Sequence, residues 1–290
     1  MCNAITVDVE DYYQVSAFAD TVKREDWAHY PSRVVGNTHR LLDLFDAFGV
    51  RATFFVLGWV AERQPGLVRE IAHRGHEIAC HGYSHQLVYN QTEAEFREET
   101  RRARDILQDQ AQVPVRGYRA ASYSITPRSL WALDVLCELG FRYDSSIFPV
   151  RHDRYGMPGG ERFPYLQQTP AGRHMVEFPL STWRLPGYRL PVAGGGYFRL
   201  FPYGLTRTAF RAINREGQPF IFYLHPWEVD PDQPRLDGSR LSRFRHYNNL
   251  DRCLPRLRRL LQDFRFTTAW DVLGQQSRDE ALAQALRATC

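Results

Sequence analysis

Lysine is almost missing from this chain: of 37 basic residues in 290, 36 are arginine and only Lys23 is lysine. The net charge of +4 is mild for this length, so the bias assigns no polyanionic partner by itself. Cysteine is scarce and scattered. Cys2, Cys80, Cys137, Cys253 and Cys290 are odd in number and never in a CxxC spacing, which excludes a disulfide framework and a zinc ribbon. Long apolar runs are absent too. The longest stretch free of Asp, Glu, Lys and Arg is Ile78 to Thr92, mostly polar and shorter than the roughly 20 apolar residues of a spanning helix. Asp8, Glu10 and Asp11 stand where a secretory leader would be basic and then apolar, so the sequence predicts a cytoplasmic protein.

What is present is a globular composition, 43% hydrophobic and 24% charged, with alternating strand and helix patterns. Strands are expected over Ala4 to Val9, Ala52 to Leu57, Glu77 to Cys80, Val113 to Val115 and Pro219 to Leu224. Helices are expected over Thr38 to Phe48, Pro65 to Arg74, Glu93 to Gln108 and Ser129 to Leu139, with Gly49, Gly75 and Gly140 as their C-caps. This βαβ rhythm predicts an α/β fold with a mostly parallel sheet. From Pro149 to Tyr203 the chain is rich in glycine and proline without a helical period, which reads as loops and short hairpins. A single domain over 1–290 is expected, with a core at 4–228, a loop insert at 149–203 and a C-terminal extension at 229–290.

Four clusters just past the apolar runs carry candidate chemistry. After the first strand, Asp8 and Glu10 share a face while Asp11 begins a turn, and such a pair can serve as one metal ligand and one general base. After the third strand, His81 and His85 have the i, i+4 spacing that aims two imidazoles at one ion from a single turn. Arg116-Gly117-Tyr118-Arg119-Ala120-Ala121-Ser122-Tyr123 offers an arginine for a carboxylate and backbone N–H groups for an oxyanion. His225, closing Phe220 to Leu224, is either a core residue or an active-site acid. His73, His76 and His174 are read as structural.

Taken together, the clusters resemble the polysaccharide deacetylase family, the NodB-like carbohydrate esterases. The resemblance implies a distorted (β/α) barrel with fewer than eight strands, a divalent metal, usually zinc, and an N-acetylated glycan substrate. It further implies Asp8 as base, Glu10, His81 and His85 as metal ligands, Arg119 as an arginine lining the groove that, with possible pairing to Asp144, keeps Asp8 ionised and oriented, Tyr123 and Asp144 as substrate-binding residues with the Tyr123 backbone N–H as oxyanion donor, and His225 as general acid. Whether Glu10 or Asp11 meets the metal stays open. Asp8 to Tyr13, Arg142 to Ser146, Arg151 to Gly156 and Phe244 to Tyr247 resemble the subfamily found with bacterial exopolysaccharide export loci. Ala121 stands where that family often has proline, and no tryptophan follows Asp144.

Two rival readings follow from the same residues. One is an allantoinase-like small-molecule amidohydrolase, favoured by a closed pocket. The other is a nucleic-acid or anionic-lipid binding module built on the arginines from Arg240 to Arg265, although Leu250, Leu254, Leu257, Leu261 and Phe264 make those arginines the solvated face of a helix. Trp183, Tyr188, Tyr197 and Phe198, beside Gly194-Gly195-Gly196, are candidates for stacking on sugar rings, with loop core as the alternative.

Overall fold

A computed structural model describes residues 1–152, 155–275 and 280–287. Asp153 and Arg154 of the Arg151 to Gly156 motif, and Cys290, lie outside the described residues. The strands are β1 (Cys2–Val9), β2 (Thr53–Val56), β3 (Glu77–Cys80), β4 (Gly117–Tyr118), β5 (Tyr143–Asp144), β6 (Tyr165–Gln168), β7 (His174–Glu177), β8 (Thr182–Leu185), β9 (Tyr188–Pro191), β10 (Ile221–Leu224) and β11 (Arg265–Thr267). The helices are α1 (Val34–Phe48), α2 (Gly58–Arg63), α3 (Pro65–His73), α4 (Glu93–Ala111), α5 (Trp131–Glu138), α6 (Gly195–Leu200), α7 (Tyr203–Arg215), α8 (Arg240–Tyr247), α9 (Leu250–Asp263), α10 (Ala269–Gln275) and α11 (Glu280–Arg287).

The main sheet runs β10-β1-β2-β3-β4-β5-β7-β6, with β11 joined to the first residues of β1. Strands β10 through β7 form one parallel path, and only β6 runs antiparallel. The fold is α/β, and seven strands in the parallel path agree with a barrel of fewer than eight. Among the described residues no ladder joins β6 back to β10.

The central strands form because both faces are covered. Ile5, Val7, Val9, Phe54, Val56 and Ile78 are buried in one apolar cluster with Leu41, Phe45, Val68, Ile71 and Leu107 from the flanking helices. Fifteen residues of α1 begin four earlier than the apolar period alone predicts. The reason is distant in sequence: Asp11 Oδ2 accepts from the backbone N–H groups of Arg33 and Val34 at 2.9 and 3.2 Å, and from Ser32 Oγ at 2.7 Å. A carboxylate from the end of β1 thus satisfies donors that a helix start leaves open. The strand predicted at Val113 to Val115 is displaced to β4, since Pro114 has no N–H for a ladder.

The glycine- and proline-rich segment differs most from expectation. It supplies β6 and β7 to the main sheet, the β8–β9 hairpin and the short helix α6. Its turn into α6 depends on Gly194, at φ 139° and bridged to Tyr223, where a Cβ would stand 1.9 Å from the Tyr223 carbonyl oxygen. Gly194→Ala is therefore expected to cost at least about 1–3 kcal/mol in strain alone. A lowered denaturation midpoint checks this, and an unchanged midpoint would contradict it.

Candidate metal centre

Adjacent strands end along one edge of the sheet, and the candidate residues sit at or just beyond those ends, as in α/β folds generally. Glu10 follows β1, His81 follows β3, Arg119 follows β4 and His225 follows β10. Ligand atoms of Glu10, His81 and His85 lie within 4.8 Å of one another, and all three residues are buried. His85 Nε2 is 2.9 Å from Glu10 Oε2. The two imidazole centroids are 5.3 Å apart. The pairing comes from a loop turn, in which Gly82 at φ 73° and His85 at φ 53° bend the chain back on itself.

His81 Nδ1 lies 2.8 Å from the carbonyl oxygen of Arg119, which makes Nδ1 the donor and leaves the Nε2 lone pair for the cluster. Burial pushes His81 down to about 4, with the carboxylates of Asp8 and Glu10 opposing only in part, so the ring is neutral near pH 7. Burial alone would raise the Glu10 carboxyl. His85, His225 and His81 outweigh it and hold Glu10 well below the usual carboxylate range. Glu10 Oε2 is buried and faces only His85 Nε2, at 2.9 Å. One carboxylate and two imidazoles whose ligand atoms converge on one another fit a divalent ion that keeps an open coordination position. Asp11, spent on the start of α1, is not part of the cluster.

On one flank of the cluster, Arg119 NH1 donates to Asp8 Oδ1 at 2.6 Å, while Asp8 Oδ2 is buried and has no hydrogen-bond partner. Arg119 is itself fully buried and also donates to Thr6 Oγ1 and to the carbonyl and hydroxyl oxygens of Ser145. It therefore lines no groove and acts only through Asp8. On the other flank, His225 Nε2 is 3.7 Å from Glu10 Oε1 and His225 Nδ1 is 2.8 Å from Glu228 Oε1. Arg199 Nε donates to Glu228 Oε2 at 2.6 Å, and both residues are buried. Burial would lower the His225 imidazole, but the Glu228 bond and the carboxylates of Glu10 and Asp8 raise it to about 9.

Two further expectations are corrected, and one open choice is decided. The Tyr123 backbone N–H donates to the Ala120 carbonyl oxygen at 3.0 Å, with Ser122 and Tyr123 both at positive φ, so this amide is spent in a turn. Asp144 is fully buried, bonds the Ser146 hydroxyl at 2.6 Å and faces Glu177 across the β5–β7 ladder; it is neither hydrogen-bonded to Arg119 nor open to a substrate. Phe198 packs edge-on against Phe222 at 4.8 Å as core, whereas Tyr188 is exposed on the β8–β9 hairpin. His76 is structural as expected, its Nδ1 accepting from the Ala52 N–H.

Glu228, Arg199 and Trp227 carry contacts that the sequence reading assigned to no one. Trp227 Nε1 donates to Glu10 Oε1 at 3.2 Å, and its ring stacks on His225 at 4.9 Å. The i, i+3 spacing of His225 and Glu228 around Pro226 was the available signal; Arg199, on a separate helix, left none.

The polysaccharide deacetylase family model matches residues 26–143, a span that holds His81, His85 and Arg119. Over that span, less than half of its length, this chain is similar to the polysaccharide deacetylase family. Residues 145–274, with Arg199, His225 and Glu228, match a domain of unknown function, DUF3473. The chain is 40% identical over 70 residues to a peptidoglycan-N-acetylglucosamine deacetylase of Bacillus cereus, covering 24% of this chain and 26% of that one. It is 31% identical over 99 residues to a chitooligosaccharide deacetylase of Bradyrhizobium sp., covering 34% of this chain and 43% of that one. The matched region thus spans well under half of each relative. The allantoinase PuuE shares the fold at TM-score 0.61 and 18% identity, covering 95% of this chain and 90% of that structure.

Proposed function

We propose that this protein is a metal-dependent N-deacetylase acting on amino sugars of a bacterial poly- or oligosaccharide, in exopolysaccharide assembly. The observation that carries the reading is the Glu10, His81 and His85 cluster set between two different proton-handling groups, Asp8 held by Arg119 and His225 held by Glu228. A divalent ion such as zinc, held by Glu10, His81 and His85, supplies Lewis acidity and lowers the pKa of bound water towards about 7.

The chain's own residues then divide the proton work. Arg119 fixes one oxygen of Asp8, leaving Oδ2 to accept the proton of the attacking water. Water adds to the acetamide carbon, and the C–N bond breaks to give acetate and an amine. The amine nitrogen takes its proton from His225 Nε2, whose other nitrogen is held by Glu228. The pairing of β11 with β1 supports reading 229–290 as an extension packed on the same domain.

One observation favours the second reading, a small-molecule amidohydrolase. Asp8, Glu10, His81 and His85 are all at least nine-tenths buried, and a cavity of about 270 Å³ lies beside His85, lined in part by Tyr13, Val15, Ser16 and Trp27. The test offers the metal-loaded protein N-acetylated oligosaccharides and allantoin in parallel. Acetate release from the oligosaccharides is expected. Consumption of allantoin without acetate release would overturn the glycan reading in favour of the second.

A further inference from the structure

The arginine-rich stretch from Arg240 to Arg265 divides into two helices of opposite arrangement. On α9, Leu250, Leu257, Leu260 and Leu261 are buried, Arg252, Arg258 and Arg259 are solvated, and the half-buried Arg256 donates to the Phe198 and Arg199 carbonyl oxygens. On α8 the apolar residues point outward: Leu241 is 57% and Phe244 55% exposed. At about 100° per residue, Leu241 and Phe244 lie about 60° apart, Arg240 and Arg245 flank them by about 40° on either side, and the buried His246 lies nearly opposite. That inner residue ties α8 to the candidate centre. His246 Nε2 is 2.7 Å from Gln233 Oε1, and its ring stacks at 4.1 Å on Trp227, which stacks on His225.

We propose that the outer face of α8 docks on an anionic lipid bilayer. Leu241 and Phe244 enter the headgroup region, and Arg240 and Arg245, which flank them, meet lipid phosphates. The charge is complementary, since three arginines occur in eight residues with no acidic residue among them. Guanidinium groups suit phosphate by their forked geometry. The outward apolar pair separates a bilayer from a purely polar polyanion, which gives such side chains nothing to enter. Taken with the deacetylase reading, on which this consequence alone rests, docking through α8 holds the active centre beside the membrane and points to a lipid-linked glycan as substrate.

The test is co-sedimentation of the full chain with vesicles of phosphatidylcholine alone and of phosphatidylcholine and phosphatidylglycerol in equal parts. Binding is expected to the mixed vesicles only, and to weaken as salt is raised to about 0.5 M. The variant carrying Leu241→Ser and Phe244→Ser is expected to lose at least about tenfold in partition. The variant with Arg240 and Arg245 each changed to Gln is expected to lose on the order of tenfold. Both variants keep their melting temperature and their acetate release from soluble oligosaccharide, a separate readout that reports on the deacetylase reading alone. Equal recovery with both vesicle types, no binding, or salt-sensitive binding indifferent to Leu241 and Phe244 would overturn the proposal. A wild-type dimer dispersed by the Leu241/Phe244 variant, without vesicle binding, would assign the face to a second copy instead.

Discussion

Alanine at His81 or at Glu10 is expected to strip the bound divalent ion and lower deacetylase turnover by on the order of 10³-fold or more, because Lewis acidity and an activated water are lost together. The fold should survive, since the buried core around β1, β2 and β3 is apolar and contributes independently of any ion. Far-ultraviolet circular dichroism and the denaturation midpoint separate loss of metal from loss of structure. Asp11→Ala gives the opposite pattern. It removes the acceptor for the start of α1 and is expected to cost about 0.5–2 kcal/mol of stability while leaving metal content intact. Metal loss in the Asp11 variant, with metal retained in the Glu10 variant, would exchange the two carboxylates and refute the assignment.

Removing the acid side of the centre is expected to have the second-largest effect. His225→Ala should lower kcat on an acetamide by about 10²–10⁴-fold without loss of metal, and the deficit should shrink on an activated aryl ester whose leaving group needs no proton. Glu228→Gln is subtler. In the folded protein His225 is raised to about 9, so its protonated form contributes stability fully below its ordinary value of 6.5 and loses that contribution as pH rises through about 9. The acid form needed for catalysis is lost in the same direction. Glutamine removes the charge that holds the imidazolium, so the alkaline limb of kcat/KM is expected to move to lower pH. A limb that stays in place would detach Glu228 from His225. Equal losses for His225→Ala on amide and ester would make His225 a packing residue only.

The parts legible in the sequence are those that local pattern determines. Strands β1, β2, β3 and β10 are apolar runs whose ends carry the chemistry, so Asp8, Glu10, His81, His85 and His225 were found by looking just past them. The single turn that joins His81 to His85 is legible from their spacing just past β3, although its positive φ angles at Gly82 and His85 are not. What stayed hidden depends on contacts between distant segments. The hold of Arg119 on Asp8 is legible, but its complete burial and its bonds to Ser145 arise only once β1 and β4 share one sheet. The Tyr123 amide looks free until its turn closes on Ala120. Arg199 lies 29 residues before Glu228, so no spacing rule joins them. Asp11 caps a helix more than twenty residues further on, which moved the start of α1.

The central claim is that Glu10, His81 and His85 hold the ion while Asp8, next to them but bonded to Arg119, is left to take the proton of the attacking water. The most direct measurement determines metal content and acetate release on one preparation of Asp8→Asn. The account predicts that divalent metal stays at the wild-type level and turnover falls by about 10²–10⁴-fold, because a neutral amide cannot accept that proton. Loss of the metal along with turnover would make Asp8 a ligand, and full turnover with metal retained would remove it from the chemistry; either result contradicts the account.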